Sequence, residues 1–413
     1  MDSNFQPRLR PLDIQWIEQS GQPALLLQDR LAIGARGVVV PQALVPLLAL
    51  CDGKRDLAAL RIAYQLETGI PLRPGVVETV FAQLDEALML ESDRFAAAYR
   101  QALDSYRSLP SRSPALAGNG YPAKAPKLAD LLDSFMAEAA SRRNGHIDPP
   151  GHLRAVICPH IDYARGGLVY ARLWDRVKEA LAEFDLFLVL GTDHAGAPGA
   201  LTLTRQSYDT PFGVLPTDEG AVDMVAEAMG PQAAFGLELN HRTEHSVELA
   251  AVWLRYLTGN RPVKMVPVLC GSFHPYTEGN GRPAEVESWR AGAEALISIA
   301  QRERTLVVAA ADLAHMGPSF GDSQTMGPAE QASLSLSDAE MLATICRGDA
   351  EGFLDLLVAE RDSRKVCGLP PIYLMLKLLS GVVGETVAYS IRPAPGESVV
   401  SVTGVILSAS GKP

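Results

Sequence analysis

The sequence predicts an α/β protein with a mostly parallel sheet flanked by helices, preceded by a small winged-helix-like α+β domain. Three observations carry this. From residue 153 onward, short apolar runs alternate with longer helical stretches. Such alternation is what a parallel sheet with helical crossovers requires. Three of those runs end in a histidine. A stretch rich in Ser, Pro, Gly and Ala separates this region from a shorter unit of different pattern, which marks a domain boundary. The expected domains are residues 1–105 and 128–413, joined by a linker over 106–127.

In the first unit, β-like runs at 24–27 and 31–33 flank residues 28–30 and suggest a hairpin. An apolar helix follows at 45–51 and stops at Asp52-Gly53. A second helix is expected at 57–66. After Pro74, a third carries Val77, Val80, Leu84, Leu88 and Leu90 at a 3–4 spacing. Beyond the linker, 128–140 reads as an amphipathic helix and 142–151 as a polar loop. Strands are then expected at 154–158, 186–190, 263–269, 305–311, 386–390 and 398–407. Helices are expected at 167–182, 221–229, 246–257, 284–301, 338–347, 350–359 and 372–379.

Composition narrows the function. With 413 residues, 47% of them apolar, the chain can bury more than one core. At 21% charged residues and a net charge of −11, its surface disfavours nucleic acid and anionic membranes. No apolar run approaches the roughly 20 residues of a membrane-spanning helix. The opening MDSNFQPRLR has no apolar signal stretch, so a cytoplasmic location is expected. The five cysteines are widely spaced and include no CxxC pair, which fits reduced thiols. Cys158, Cys270 and Cys346 fall in or beside core elements and read as packing residues.

In open α/β sheets, sites form beyond the carboxyl ends of strands. Here one strand runs into Pro159-His160-Ile161-Asp162-Tyr163, a second into Gly191-Thr192-Asp193-His194, and a third into Asp312-Leu313-Ala314-His315. Glu244-His245 opens a further helix. Imidazole is a common ligand for zinc, iron and copper, so this clustering suggests a metal site. Asp312 beside His315 suggests an orienter–base pair. Tyr163 reads either as a phenol that donates a proton or stacks on substrate, or as a buried tyrosine with a satisfied hydroxyl.

Six segments in order resemble the Memo family. AVICPHIDYARGGLVYA is similar to its strand, PHAGY turn and helix, and FLVLGTDHAG to its strand ending in GPSHH. TEHSVELAAVWL resembles the EHSIEM helix, MVPVLCGSF the IPVLVG strand, VVAAADLAHMG the VVSSDFxHWG segment, and KVCGLPPIYLML the xICGxxPI segment. YPAKAPKLADLLDSFM resembles the family's opening helix. The likeness covers residues 115–407 and implies a fold like that of class III extradiol dioxygenases. It implies His160, His194 and Cys367 as metal ligands. It also implies that Asp312 and His315 line the same pocket, and it matches Glu244 and His245 to EHSIEM. The chain departs from the family at Asp162, Ala195, Ala310-Ala311, Leu313-Ala314, Met316 and Leu369. The lining therefore differs while the implied ligands remain.

The N-terminal segments LLALCDGKRDLAALRIAYQ and VVETVFAQLDEALMLES resemble PqqD-like domains, which bind peptides. A peptide adding as a strand would use the edge at 24–33. A structural or dimerising role is the alternative.

These readings lead to a non-haem iron redox protein, with copper or zinc as alternative metals. His160, His194 and Cys367 would hold the metal, with Asp312, His315, His245 and Tyr163 as catalytic candidates. A small aromatic or peptidyl substrate is expected. The resemblance, of the AmmeMemoRadiSam system protein B type, adds a peptide or a radical-SAM enzyme as partner. Without metal, Cys367 would be a thiol activated by histidine and by Lys365. A non-catalytic peptide- or metal-binding protein and a zinc hydrolase are the rival readings.

Overall fold

A computed structural model describes residues 5–34, 37–73, 75–142 and 151–410. The chain divides into two compact units, Met1–Leu109 and Pro110–Pro413. Most of the loop expected at 142–151, and Pro74, lie outside the described residues.

The first unit has a three-stranded antiparallel sheet, β1 (Asp13–Gln19), β2 (Gln22–Gln28) and β3 (Val38–Pro41), in that order. Four helices follow: α1 (Val45–Ala49), α2 (Leu57–Thr68), α3 (Val76–Glu86) and α4 (Asp93–Ser108). The hairpin differs from the expected one. It joins β1 to β2 through Ser20 and Gly21, both at positive φ (53° and 76°). Such two-residue turns match the twist of the paired strands. The segment 31–33 is no strand, because Asp29 gathers the amides of Leu31, Ile33 and Gly34 and folds it into a loop. The peptide edge expected at 24–33 is also displaced. Residues 24–27 belong to β2, which is paired on both sides and leaves no backbone to bind a strand. Asp56 caps α2 by accepting from Ala59 N, and Gly69 ends it at φ 72°. Leu27, Leu47, Leu60 and Phe81 are buried at the centre of this unit.

The stretch read as a linker is divided between the units. Residues 106–108 complete α4, and Arg112 and Tyr121 are buried within the second unit.

The second unit is α/β. In chain order it contains α5 (Ala125–Ser141), β4 (Leu153–Cys158), α6 (Tyr163–Val177), β5 (Leu186–Asp193), β6 (Leu201–Leu203), α7 (Glu219–Met229), α8 (Pro231–Phe235) and α9 (Ser246–Thr258). After these come β7 (Lys264–Gly271), α10 (His274–Thr277), α11 (Glu287–Ala300), β8 (Thr305–Ala310), β9 (His315–Met316), α12 (Pro328–Cys346), α13 (Ala350–Ala359), α14 (Leu369–Leu378), β10 (Val382–Ala394) and β11 (Ser398–Ala409). The strand order is β10-β11-β4-β8-β5-β7-β6, with β9 paired to β11. The central strands β4, β8, β5 and β7 are parallel, and β6, β11 and β10 join antiparallel.

Side chains alternate across the sheet. Leu186, Leu188 and Leu190 of β5 face one core with Ala155 and Ile157 of β4. Phe187 and Val189 face the other with Val156 and Cys158. The first core is covered by α7, α11 and α14, the second by α5, α6 and α9. Burial on both faces explains why these strands read as unbroken apolar runs. It also fixes their ends: the parallel strands β4, β5 and β8 deliver the segments carrying His160, His194 and Asp312 to the carboxyl end of the sheet.

Candidate metal centre

His160 lies two residues past β4 and is 2% exposed. Its Nδ1–H donates to the carbonyl of Ala310 at 3.0 Å, which turns Nε2 toward Cys367 Sγ at 3.3 Å. His194 follows the last residue of β5. Its Nδ1–H donates to Glu244 Oε2 at 2.9 Å, leaving Nε2 for the site. Cys367 sits just before α14, its carbonyl accepting from Thr192 Oγ1 at 3.0 Å. Gly368 is required by close approach, since a Cβ there would lie 2.3 Å from the carbonyl oxygen of Asp312. One ligand atom each from His160, His194 and Cys367 lies within 4.8 Å of the others.

Glu244 is buried between two histidines. Oε2 accepts from the His194 amide at 3.0 Å as well as from its ring. Oε1 accepts from the amides of His245 and Ser246 at 2.7 and 2.9 Å, with His245 Nδ1 3.2 Å away. The His194 and His245 rings stack, with centroids 5.1 Å apart and planes within 10°, and His160 meets both edge-on. Carboxylates that hold the far nitrogen of a ligating histidine fix its tautomer.

The charges are strongly coupled. Burial opposes a Cys367 thiolate, but His160 and His315, with hydrogen bonds from His160 and His194, hold the thiol well below its usual range. Burial likewise opposes charge on His160, yet Cys367 and Asp312 raise it to about 9. Each partner thus favours the charged form of the other, a thiolate beside an imidazolium. Burial pushes His245 down to about 4 against the pull of Glu244, so that ring is neutral at neutral pH. Despite its burial, Glu244 is held well below the usual carboxylate range by His194 and His245.

The sequence-predicted residues separate into those at the site and those away from it. His160, His194, His245, His315 and Cys367 come together. Asp312 is beside them, but it is not the partner of His315. Its Oδ1 accepts from the amides of His160 (2.8 Å) and Ile161 (3.3 Å), so it braces the turn after β4. His315 Nδ1 instead faces the Leu313 carbonyl at 3.2 Å, and its ring meets Phe320. Tyr163 is away from the site. It is fully buried against Tyr121, Tyr170 and Trp253, and its hydroxyl donates to the Leu249 carbonyl at 2.8 Å. Lys365 does not activate Cys367, because its ammonium is 2.5 Å from Asp322 Oδ1.

A support lay beyond sequence reasoning. Arg112 is fully buried and donates to the carbonyls of His241 and Glu244, both at 2.7 Å, and to the carboxylate of Glu248. Glu248 also accepts from the amides of Ala115 and Leu116 and from Tyr121. The segment after Leu109 is thus pinned to the start of α9, which carries Glu244 and His245 in front of it. The only available signal was Glu248, one helical turn beyond Glu244.

A model of the family described as "Memo-like protein" matches residues 112–406. The chain belongs to the Memo-like family. A "MEMO1 family protein" of Aquifex aeolicus is 22% identical over 412 residues, covering 97% of this chain and all of the relative. One of Methanosarcina mazei is 26% identical over 269 residues, covering 64% of this chain and 85% of the relative. One of Thermus thermophilus is 25% identical over 343 residues, with 82% and 95% covered. The Memo-like match begins at Arg112 and contains every residue of the centre. The Aquifex relative aligns across the first unit as well. No helix of the described residues is long and apolar enough to cross a membrane.

Proposed function

We propose that this Memo-like protein holds one transition-metal ion between His160, His194 and Cys367 and performs redox chemistry there. The observation that carries the reading is the convergence of two imidazole nitrogens and a sulfur within 4.8 Å at the carboxyl ends of parallel strands. Iron is the first choice, copper the second and zinc the third, since imidazole with thiolate suits all three. The donor set fits such an ion: both ring Nδ1 atoms are engaged elsewhere, and the thiol is already biased to thiolate. Bound there, iron or copper would supply one-electron chemistry tuned by the thiolate.

The residues around it have their own tasks. Asp312 holds His160 in place through the turn amides. Neutral His245, with its Nδ1 directed to Glu244, is suited to hydrogen-bond a bound substrate, and its pKa of about 4 makes it too weak a base to hold a proton at neutral pH. The substrate is read as a small aromatic or peptidyl molecule.

Elemental mass spectrometry on protein purified without oxygen tests this. About one iron or copper per chain is expected, with loss in both His160→Ala and Cys367→Ala. Zinc in that place would move the reading to hydrolysis. No metal after reconstitution would overturn it and leave a thiol or binding site.

A further inference from the structure

A cleft of about 260 Å³ opens beside the candidate ligands, with His194 and Cys367 in its wall. Phe273, Val366, Leu369 and Pro370 give it an apolar side. Phe273 is 3% exposed and locked edge-on against Tyr276 and Tyr373, so that side is rigid.

The charged groups in the wall are mostly committed. Asp193 takes Asn240 Nδ2 on both oxygens, at 3.1 and 2.9 Å, and the Ala195 amide at 3.1 Å. Lys365 is bound to Asp322. His194 is bound to Glu244. Thr192 Oγ1 donates to the Cys367 carbonyl, and Ser272 Oγ accepts from the His274 amide. Asp362 differs. Its Oδ1 accepts from Val366 N at 2.8 Å, while Oδ2 has no hydrogen bond among the described residues. The side chain is held in place by its backbone. Asp362 N donates to the Leu357 carbonyl at 2.7 Å, and Lys365 N donates to the Asp362 carbonyl at 2.8 Å. Both Asp362 and Lys365 adopt positive φ, 45° and 52°, which closes the loop tightly ahead of Cys367.

A pocket with one rigid apolar wall and one uncommitted carboxylate oxygen is complementary to a cation with an apolar body. We propose that this cleft binds small primary amines, the ammonium donating to Asp362 Oδ2 and the apolar body lying on Phe273, Leu369 and Pro370. The substrate class of the adjoining centre is then an amine. That last step rests on reading His160, His194 and Cys367 as the reactive centre; amine binding itself does not.

The test uses the full chain and three probes of one shape: tyramine, 4-ethylphenol and 3-(4-hydroxyphenyl)propionate. Binding is read by calorimetry, and metal content is measured on the same samples. Tyramine is expected to bind about tenfold more tightly than the other two, the worth of one charged hydrogen bond. In Asp362→Asn that preference falls to within about threefold, with metal content unchanged. Asparagine tolerates the left-handed conformation and keeps an acceptor for the Val366 amide, so the variant retains the loop. Equal binding of the probes overturns the proposal. So do tighter binding of the acid, which would point to Lys365, and the absence of saturable binding by any probe. A tyramine preference that survives in Asp362→Asn overturns it too. Loss of metal from the wild type with the amine preference intact would count against the metal reading alone.

Discussion

Glu244 shows what a single residue does here. Its two oxygens are not equivalent: Oε1 serves two backbone amides, while Oε2 serves the amide and ring of His194. In Glu244→Gln the amide oxygen takes the place of Oε1, and the NH2 faces His194. His194 Nδ1 must then accept, which leaves the ring's proton on Nε2, the atom turned toward the metal site. We predict a roughly 10–100-fold loss of metal affinity in this variant. In the metal-free protein, against burial, Glu244 and Cys367 hold the His194 pKa well above its usual range, so nitrogen NMR should show the variant lose the Nδ1 proton and keep the one on Nε2; an unchanged Nδ1 signal and affinity would sink the idea. His160, His194 and His315 were legible from sequence, because each follows an apolar strand. Cys367 was legible only through family resemblance, since it precedes a helix and lies far along the chain. The core role of Tyr163 was not legible, because a tyrosine one residue into a helix looks the same whether its ring turns to the pocket or to the core.

At the scale of elements, the strap of residues 110–121 across the start of α9 is the feature the sequence hid. Its composition is that of a linker, and its one cation, Arg112, meets partners more than 120 residues away. Breaking a buried ion pair by removing one member leaves the other desolvated and costs about 3–5 kcal/mol. Arg112→Met is therefore predicted to destabilise the second unit by about 3 kcal/mol, the low end of that range, because Glu248 retains Tyr121 and two amides. Urea denaturation followed by tryptophan fluorescence measures this. A change below about 0.5 kcal/mol would show the strap to be incidental. The misplaced hairpin has a related cause. In β1 the apolar Ile14 and Trp16 are 59% and 56% exposed, so the strand has no buried face to announce it. The strands of the large sheet were plain because both their faces are buried.

Across the whole molecule, alternation of strands and helices was enough to predict a parallel sheet, and the four central strands form one. The antiparallel margins were beyond reach: β6 and β9 are too short to leave a periodic trace, and pairing partners are not written in a strand's own residues. The same architecture sets an order of events. His160 and Cys367 stand 207 positions apart, and His194 arrives on another strand. No short segment contains two of the three donors, so an unfolded or half-folded chain cannot assemble this donor set locally. Unlike a zinc finger, whose ion organises its fold, this chain would have to build its sheet before the proposed ion could bind. Refolding rates should accordingly be the same with and without metal, and acceleration by metal in stopped-flow experiments would contradict this. In a cell, such a protein would emerge from synthesis complete but empty, and the proposed activity would wait on delivery of the metal to a finished fold.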